Sequence, residues 1–97
     1  MKESSMKDSR IKINVFGLVQ GVFFRYTTRK VARKLELTGC VKNMHDGSVY
    51  IEAEGSQDKL YELLEFSKKG PKHARVEYVN HEFSQPKHEF NEFDYEF

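Results

Sequence analysis

An α+β sandwich, with two helices on one face of an antiparallel sheet of four to five strands, is the fold class this 97-residue sequence predicts. Three observations lead there. Short runs alternate apolar and polar residues with the period of a strand. Two longer runs space their apolar residues as a helix with one buried stripe does. The runs follow the order strand, helix, strand, strand, helix, strand, with an extra strand after them, and that order is the split ferredoxin-like βαββαβ arrangement. The length suits one small domain, assigned here to residues 10–97 behind a flexible tail over residues 1–9.

Each element has its own signal. Ile11, Ile13 and Val15 alternate with Lys12 and Asn14, and Gly17 ends the alternation. From Phe24 to Leu37, Phe24, Val31, Ala32 and Leu35 form a helical stripe that Gly39 is expected to stop. Arg29, Lys30, Arg33 and Lys34 read as that helix's solvated basic face, one that also steers anions. "CVKNMHDGSVYIEAEG" predicts a hairpin: Val41 opens it, Asp46-Gly47 turns it, and Val49, Ile51 and Ala53 bring it back. Gly55-Ser56 should break the strand, with Ser56 as N-cap of a second helix carrying Leu60, Leu63 and Leu64 and stopped by Gly70-Pro71. A strand over 75–83 is predicted to point Val76, Tyr78 and Asn80 one way and Val79, His81 and Phe83 the other. In the last run Phe93, Tyr95 and Phe97 alternate with Asp94 and Glu96 while Phe90 is out of phase, so a bend is expected near Asn91. That run reads as an edge strand packing its aromatics on the core.

Bulk composition narrows function. Sixteen basic against fifteen acidic residues leave a net charge of +1, so any anion site has to be local, and a nucleic-acid partner is not expected. Cys40 is the only cysteine, which rules out an intrachain disulfide or a cysteine-based metal cage. His45, His73, His81 and His88 lack metal-ligand spacing, so no metal or other cofactor is expected. The polar start lacks the apolar stretch of a signal peptide, and no run has membrane-span length, so a soluble cytoplasmic monomer is expected.

The stretch "VFGLVQGVFFRYTTRK" carries the chemistry. Gly17 and Gly21 permit conformations barred to other residues, and consecutive N–H groups in such a turn converge on an anion. The helix that follows adds its unpaired N–H groups and positive dipole end. Arg25, in its first turn, supplies a guanidinium suited to phosphate or carboxylate oxygens. Glycine-flanked turns followed by arginine also occur without ligands, so the stretch alone leaves both readings open.

"GLVQGVFFR" resembles the acylphosphatase signature Gly-x-Val-Gln-Gly-Val-x-Phe-Arg at all seven fixed positions: Gly17, Val19, Gln20, Gly21, Val22, Phe24 and Arg25. "GCVKNMHDGSV" is similar to the family's second block through Gly39, Val41, Asn43, Asp46, Gly47 and Val49, and "GP" before "ARV" to its entry into the fourth strand. Two departures are Cys40, where an aromatic residue is common, and Leu18, where a basic residue is frequent. The resemblance implies hydrolysis of acyl phosphates to carboxylate and inorganic phosphate. It implies that Arg25 and the backbone of Gln20, Gly21, Val22, Phe23 and Phe24 hold the phosphoryl group, and that Asn43 positions water. No covalent nucleophile is called for, since Cys40 has no activating pair in sequence and Ser48 sits in a strand pattern. An anion-binding module without turnover would not need Asn43. An RNA-binding domain of this fold would need an aromatic strand motif that is missing. A related domain opens a large hydrogenase-maturation factor, whereas this length implies a free-standing form.

Overall fold

The computed structural model describes residues 7–97. The order is β1 (Asp8–Leu18), α1 (Phe24–Lys34), β2 (Thr38–Asn43), β3 (Val49–Ser56), α2 (Gln57–Lys69), β4 (Arg75–Ser84) and β5 (Phe93–Tyr95). Of the expected tail, residues 1–6 lie outside the described residues, while Asp8 and Ser9 already pair with Ser56 and Gly55 of β3. The sheet order is β4-β1-β3-β2-β5.

The predicted all-antiparallel sheet needs one correction, because β5 runs parallel to β2. The cause is topological. β4 lies at one edge and runs antiparallel to β1, so the chain leaves it at the end of the sheet where β1 begins. Residues 85–92 cross beneath the sheet, and a strand rising from that end must run in the direction of β2. The bend expected near Asn91 falls at Asn91 and Glu92, just before β5.

The core lies between sheet and helices. Ile11, Ile13, Val15, Val41, Val49, Ile51, Ala53 and Phe93 face Phe24, Ala32, Leu60, Leu63 and Leu64, all buried. Each large apolar side chain removed from water contributes about 1.5–3 kcal/mol. Thr28 and Ser67 are buried on the same helix faces, where their hydroxyls donate to the Phe24 and Leu63 carbonyls at 2.8 and 2.9 Å. A stripe counted in apolar residues alone misses them.

Three local expectations are revised. Helix α1 ends at Lys34, before Gly39: Glu36 takes a left-handed conformation (φ 62°), and the Glu36 and Leu37 N–H groups donate to the Arg33 and Ala32 carbonyls. Gly39 is instead a residue of β2 whose close approach to the Glu52 carbonyl leaves no room for a Cβ. Gly55-Ser56 does not break β3; the strand runs through Ser56, which takes the N-cap position without a side-chain capping bond. In β4 a register shift opposite Phe16/Gly17 pairs Tyr78 with Phe16 and Val76 with Gly17. Val76 therefore joins Val79 and Phe83 against the core, and Tyr78 stacks on Phe16, ring centroids 4.5 Å apart, on the sheet's other face.

The crossover is pinned by a buried charge cluster. Arg10, only 3% exposed, pairs with Glu54 at 2.7 Å, with Glu52, and with Glu89. The Glu54 carboxylate also accepts the Lys87 and His88 N–H groups at 2.7 and 2.9 Å. Burial alone would raise its pKa, but these N–H groups and the Arg10 guanidinium more than offset that and hold it below the usual carboxylate range. A depressed folded-state value means the stabilisation is present above the unfolded pKa and is lost as pH falls through the folded one. Glu54→Gln should therefore cost about 2–3 kcal/mol at pH 7, less than fully orphaning a buried charge because Glu52 remains. Urea denaturation of both proteins should show that difference shrinking below pH ~4.

Candidate active site

The site forms at the end of the sheet where β1 and β2 finish and α1 begins. Val19 is buried and anchors the turn. Next to it, the Gln20 side chain leaves the turn and reaches the β2–β3 hairpin, where Nε2 donates to the Met44 and Ser48 carbonyls at 2.8 and 2.9 Å. The hairpin loop is closed by the Met44 N–H on the Ser48 carbonyl and by Asp46 Oδ1, which accepts the Ser48 N–H and hydroxyl. The Ser48 hydroxyl, then its N–H, holds the Asp46 carboxyl below its ordinary value, in keeping with a turn-forming role.

Gly21 (φ 76°) and Phe23 (φ 64°) both take left-handed conformations, and the space beside Gly21 where a Cβ would stand is open. Phe23 is the N-cap of α1, and its carbonyl accepts the Thr27 N–H at 3.0 Å. No side chain caps the helix and no acidic residue sits in its first turn. The N–H groups of Phe24, Arg25 and Tyr26 accordingly have no intrahelical acceptor and lie at the dipole's positive end.

Arg25 and Asn43 line one cavity of about 430 Å³ together with Gly21, Phe23 and Phe24. Of the other residues marked by the sequence, Val22 packs against the core and Gln20 turns toward the hairpin, and neither side chain lines the cavity. Among the described residues Arg25 pairs with no carboxylate; its guanidinium faces the Tyr95 and Phe97 rings at 5.9 and 5.7 Å from their centroids. Cys40 alternates with Val41 and so lies on the sheet face away from the helices. Burial first, then the neighbouring Glu96, pushes its thiol up to about 12, far from a thiolate nucleophile.

Tyr26, Tyr95 and Phe97 also line the cavity, and none of the three carried a site role in the sequence. The last run does pack aromatics on the core, Phe93 buried and Tyr95 against its edge, and parallel pairing also carries Tyr95 and Phe97 up beside the start of α1. The basic helix face also differs from expectation. Arg29 pairs with Asp94 at 3.1 Å and covers the Tyr95 ring at 4.9 Å, while Arg33 Nε donates to the Phe93 carbonyl at 2.8 Å. These two arginines dock β5; Lys30 and Lys34 remain exposed. The signal available in sequence was charge complementarity, acidic Glu92 and Asp94 against this basic stripe.

The fold and the cavity define the class: a ferredoxin-like α+β domain in which the β1–α1 turn, the start of α1, Arg25 and Asn43 meet around one cavity. Comparison with known proteins specifies it. The family model described as Acylphosphatase matches residues 11–95. A protein named acylphosphatase from Salinibacter ruber is 45% identical over 86 residues, covering 89% of this chain and 90% of that protein. The solved acylphosphatase from Coxiella burnetii superposes with a TM-score of 0.86 at 38% identity over 99% of this chain and 98% of that one. The acylphosphatase from Bacillus subtilis gives 0.88 at 35% identity over 92% and 99%. The chain belongs to the acylphosphatase family, hydrolases acting on acid anhydrides.

Gln20→Ala would leave the hairpin carbonyls without these donors and should cost about 1–3 kcal/mol in urea unfolding. Amide exchange over residues 43–48 should quicken beyond what that global loss explains, since the lost bonds tie this loop to the turn.

Proposed function

We propose that this protein hydrolyses the carboxyl–phosphate bond of acyl phosphates, releasing a carboxylate and inorganic phosphate, with Arg25 and the Gln20–Phe24 turn holding the phosphoryl group and Asn43 holding the water. The observation that carries this is an arginine that pairs with no carboxylate among the described residues, sharing a cavity with Asn43 beside a capless helix start. A doubly charged phosphoryl group supplies the acceptors those N–H groups lack, and the guanidinium binds two of its oxygens side by side.

The chemistry then needs little more than placement. Asn43 has both a donor and an acceptor, so its amide can orient water for in-line attack on phosphorus. As the bond to the carboxylate oxygen breaks, negative charge grows on the phosphoryl oxygens and on the leaving group. Arg25 and the backbone N–H groups are already aimed at the first of these. The carboxylate leaves without protonation because its parent acid is ionised at neutral pH. In this reading the attacking water's proton passes to a phosphoryl oxygen of the substrate, which keeps the reaction balanced without a protein base.

The same reading takes the chain as a cytoplasmic monomer with no nucleic-acid partner. On the sheet's open face Lys12 stands between Glu52 and Glu82 in the ladder and Glu52 also pairs with Arg10, so these charges compensate one another and offer no concentrated basic surface to a phosphate backbone. No helix among the described residues is long and apolar enough to cross a membrane.

Hydrolysis of an aromatic acyl phosphate, followed by absorbance with chelator present, tests the roles separately. Arg25→Ala should lower kcat/KM by about 10³-fold or more and abolish inhibition by inorganic phosphate. Asn43→Ala should lower kcat by about 10²–10³-fold while phosphate still inhibits. Near-normal turnover by Asn43→Ala would sink the water-positioning role. A folded wild type that binds phosphate and turns over nothing would make the chain a binder.

A further inference from the structure

We infer that Tyr95 is a positioning residue, whose ring holds the Arg25 guanidinium ready for a phosphoryl group where a carboxylate would block it; this rests on Arg25 being the residue that grips that group. A long side chain beside an open cavity samples many rotamers, and freezing them on binding costs affinity. Arg25 is half-buried and lines the cavity, and among the described residues no carboxylate pairs with it. Aromatic rings stand beside it instead. The Tyr95 and Phe97 centroids are 5.9 and 5.7 Å from its Cζ, within the ~6 Å over which a ring face attracts a cation.

The two rings are not equivalent. Phe97 is almost wholly in water, 98% exposed. Tyr95 is half-buried, packs against the core and pairs with Val41 in the parallel ladder. The N–H of Glu96, the next residue, donates to the Val41 carbonyl at 3.0 Å and fixes the strand there. Arg29 covers the Tyr95 ring at 4.9 Å and is itself held by Asp94 at 3.1 Å. A chain of contacts from Asp94 through Arg29 to Tyr95 therefore ends at Arg25. A ring anchored in this way restrains a mobile guanidinium; a ring free in solvent does not.

The chemistry of the holder matters. A carboxylate would fix the guanidinium more firmly, but it would occupy the N–H donors and repel an incoming dianion. The negative face of a ring attracts the cation as a whole and takes no N–H donor as a lone pair would. Arg25 keeps its charge, and its donors stay available to phosphoryl oxygens.

Nuclear magnetic resonance of the Arg25 Nε–H group in phosphate-free protein tests the placement, and calorimetry with inorganic phosphate tests its consequence. The Nε–H should be rigid on the nanosecond timescale in wild type and in Tyr95→Phe, and markedly more mobile in Tyr95→Leu. Phosphate should bind Tyr95→Phe within about 2-fold of wild type and Tyr95→Leu about 3- to 30-fold more weakly, the range that a cation–π contact spans. Pentafluorophenylalanine at position 95 keeps the ring and nearly its bulk but reverses the sign of its face, so it should weaken phosphate at least as much as leucine does. A ring that only packed the edge of the core would leave pentafluorophenylalanine equal to phenylalanine, and that result would overturn the proposal. So would an Arg25 Nε–H as rigid in Tyr95→Leu as in wild type. If wild type binds no phosphate, the reading of the cavity as a phosphoryl site fails, and the mobility of Arg25 still decides whether Tyr95 holds it.

Discussion

The Gln20 side chain joins two parts of the chain that the site needs together. Its amide donates to two carbonyls of the β2–β3 hairpin loop and so fastens the turn before α1 to the loop after Asn43. Without such a tie, the turn before Arg25 and the loop after Asn43 would be held only by the packing of α1 on β2 and by β3, which lies between β1 and β2. The roles proposed for Arg25 and Asn43 tolerate little error in their separation, because misplacement of about 1 Å can cost ~10²-fold in rate. Two hydrogen bonds to backbone carbonyls are a stiff solution, since those acceptors move only if the hairpin does.

A second linkage works from the opposite end of the sandwich. Arg10 and Glu54 are both buried, and Glu54 has its remaining acceptor capacity used by Lys87 and His88. Burying such a pair is weak evidence of net stability. What it does here is choose a path: the chain leaving β4 is caught under the sheet and delivered to the far edge. There Arg29 and Arg33 take over, pairing with Asp94 and the Phe93 carbonyl of β5 and with Glu92 just before it. The aromatic wall at the site thus depends on a charge cluster a full strand length away.

Backbone conformation links these to the chemistry. Among the described residues three non-glycines have positive φ, and one of them, Phe23, stands at the helix start next to Arg25. A residue held in that region needs surrounding structure to over-determine it. The Gln20 tie before it and the buried Phe24 after it do so.

Much of this was determined by the sequence alone. The alternation of Ile11, Ile13 and Val15, the Leu60, Leu63 and Leu64 stripe and the Asp46-Gly47 turn are local signals, and each reappears where its period places it. The family was legible too, because its signature lies in one short stretch around Arg25 and a second around Asn43. Tertiary structure decided what depends on partners far away in sequence. The stop of α1 came from Glu36 rather than Gly39, because Gly39 was needed where β2 closes on β3. Tyr78 and Val76 parted to opposite faces through a shift set by β1. The direction of β5, the docking role of Arg29 and Arg33, and the arrival of Tyr95 and Phe97 beside Arg25 follow from where the crossover ends. Periodicity reports which face of an element is apolar; it has no information about which element that face will meet.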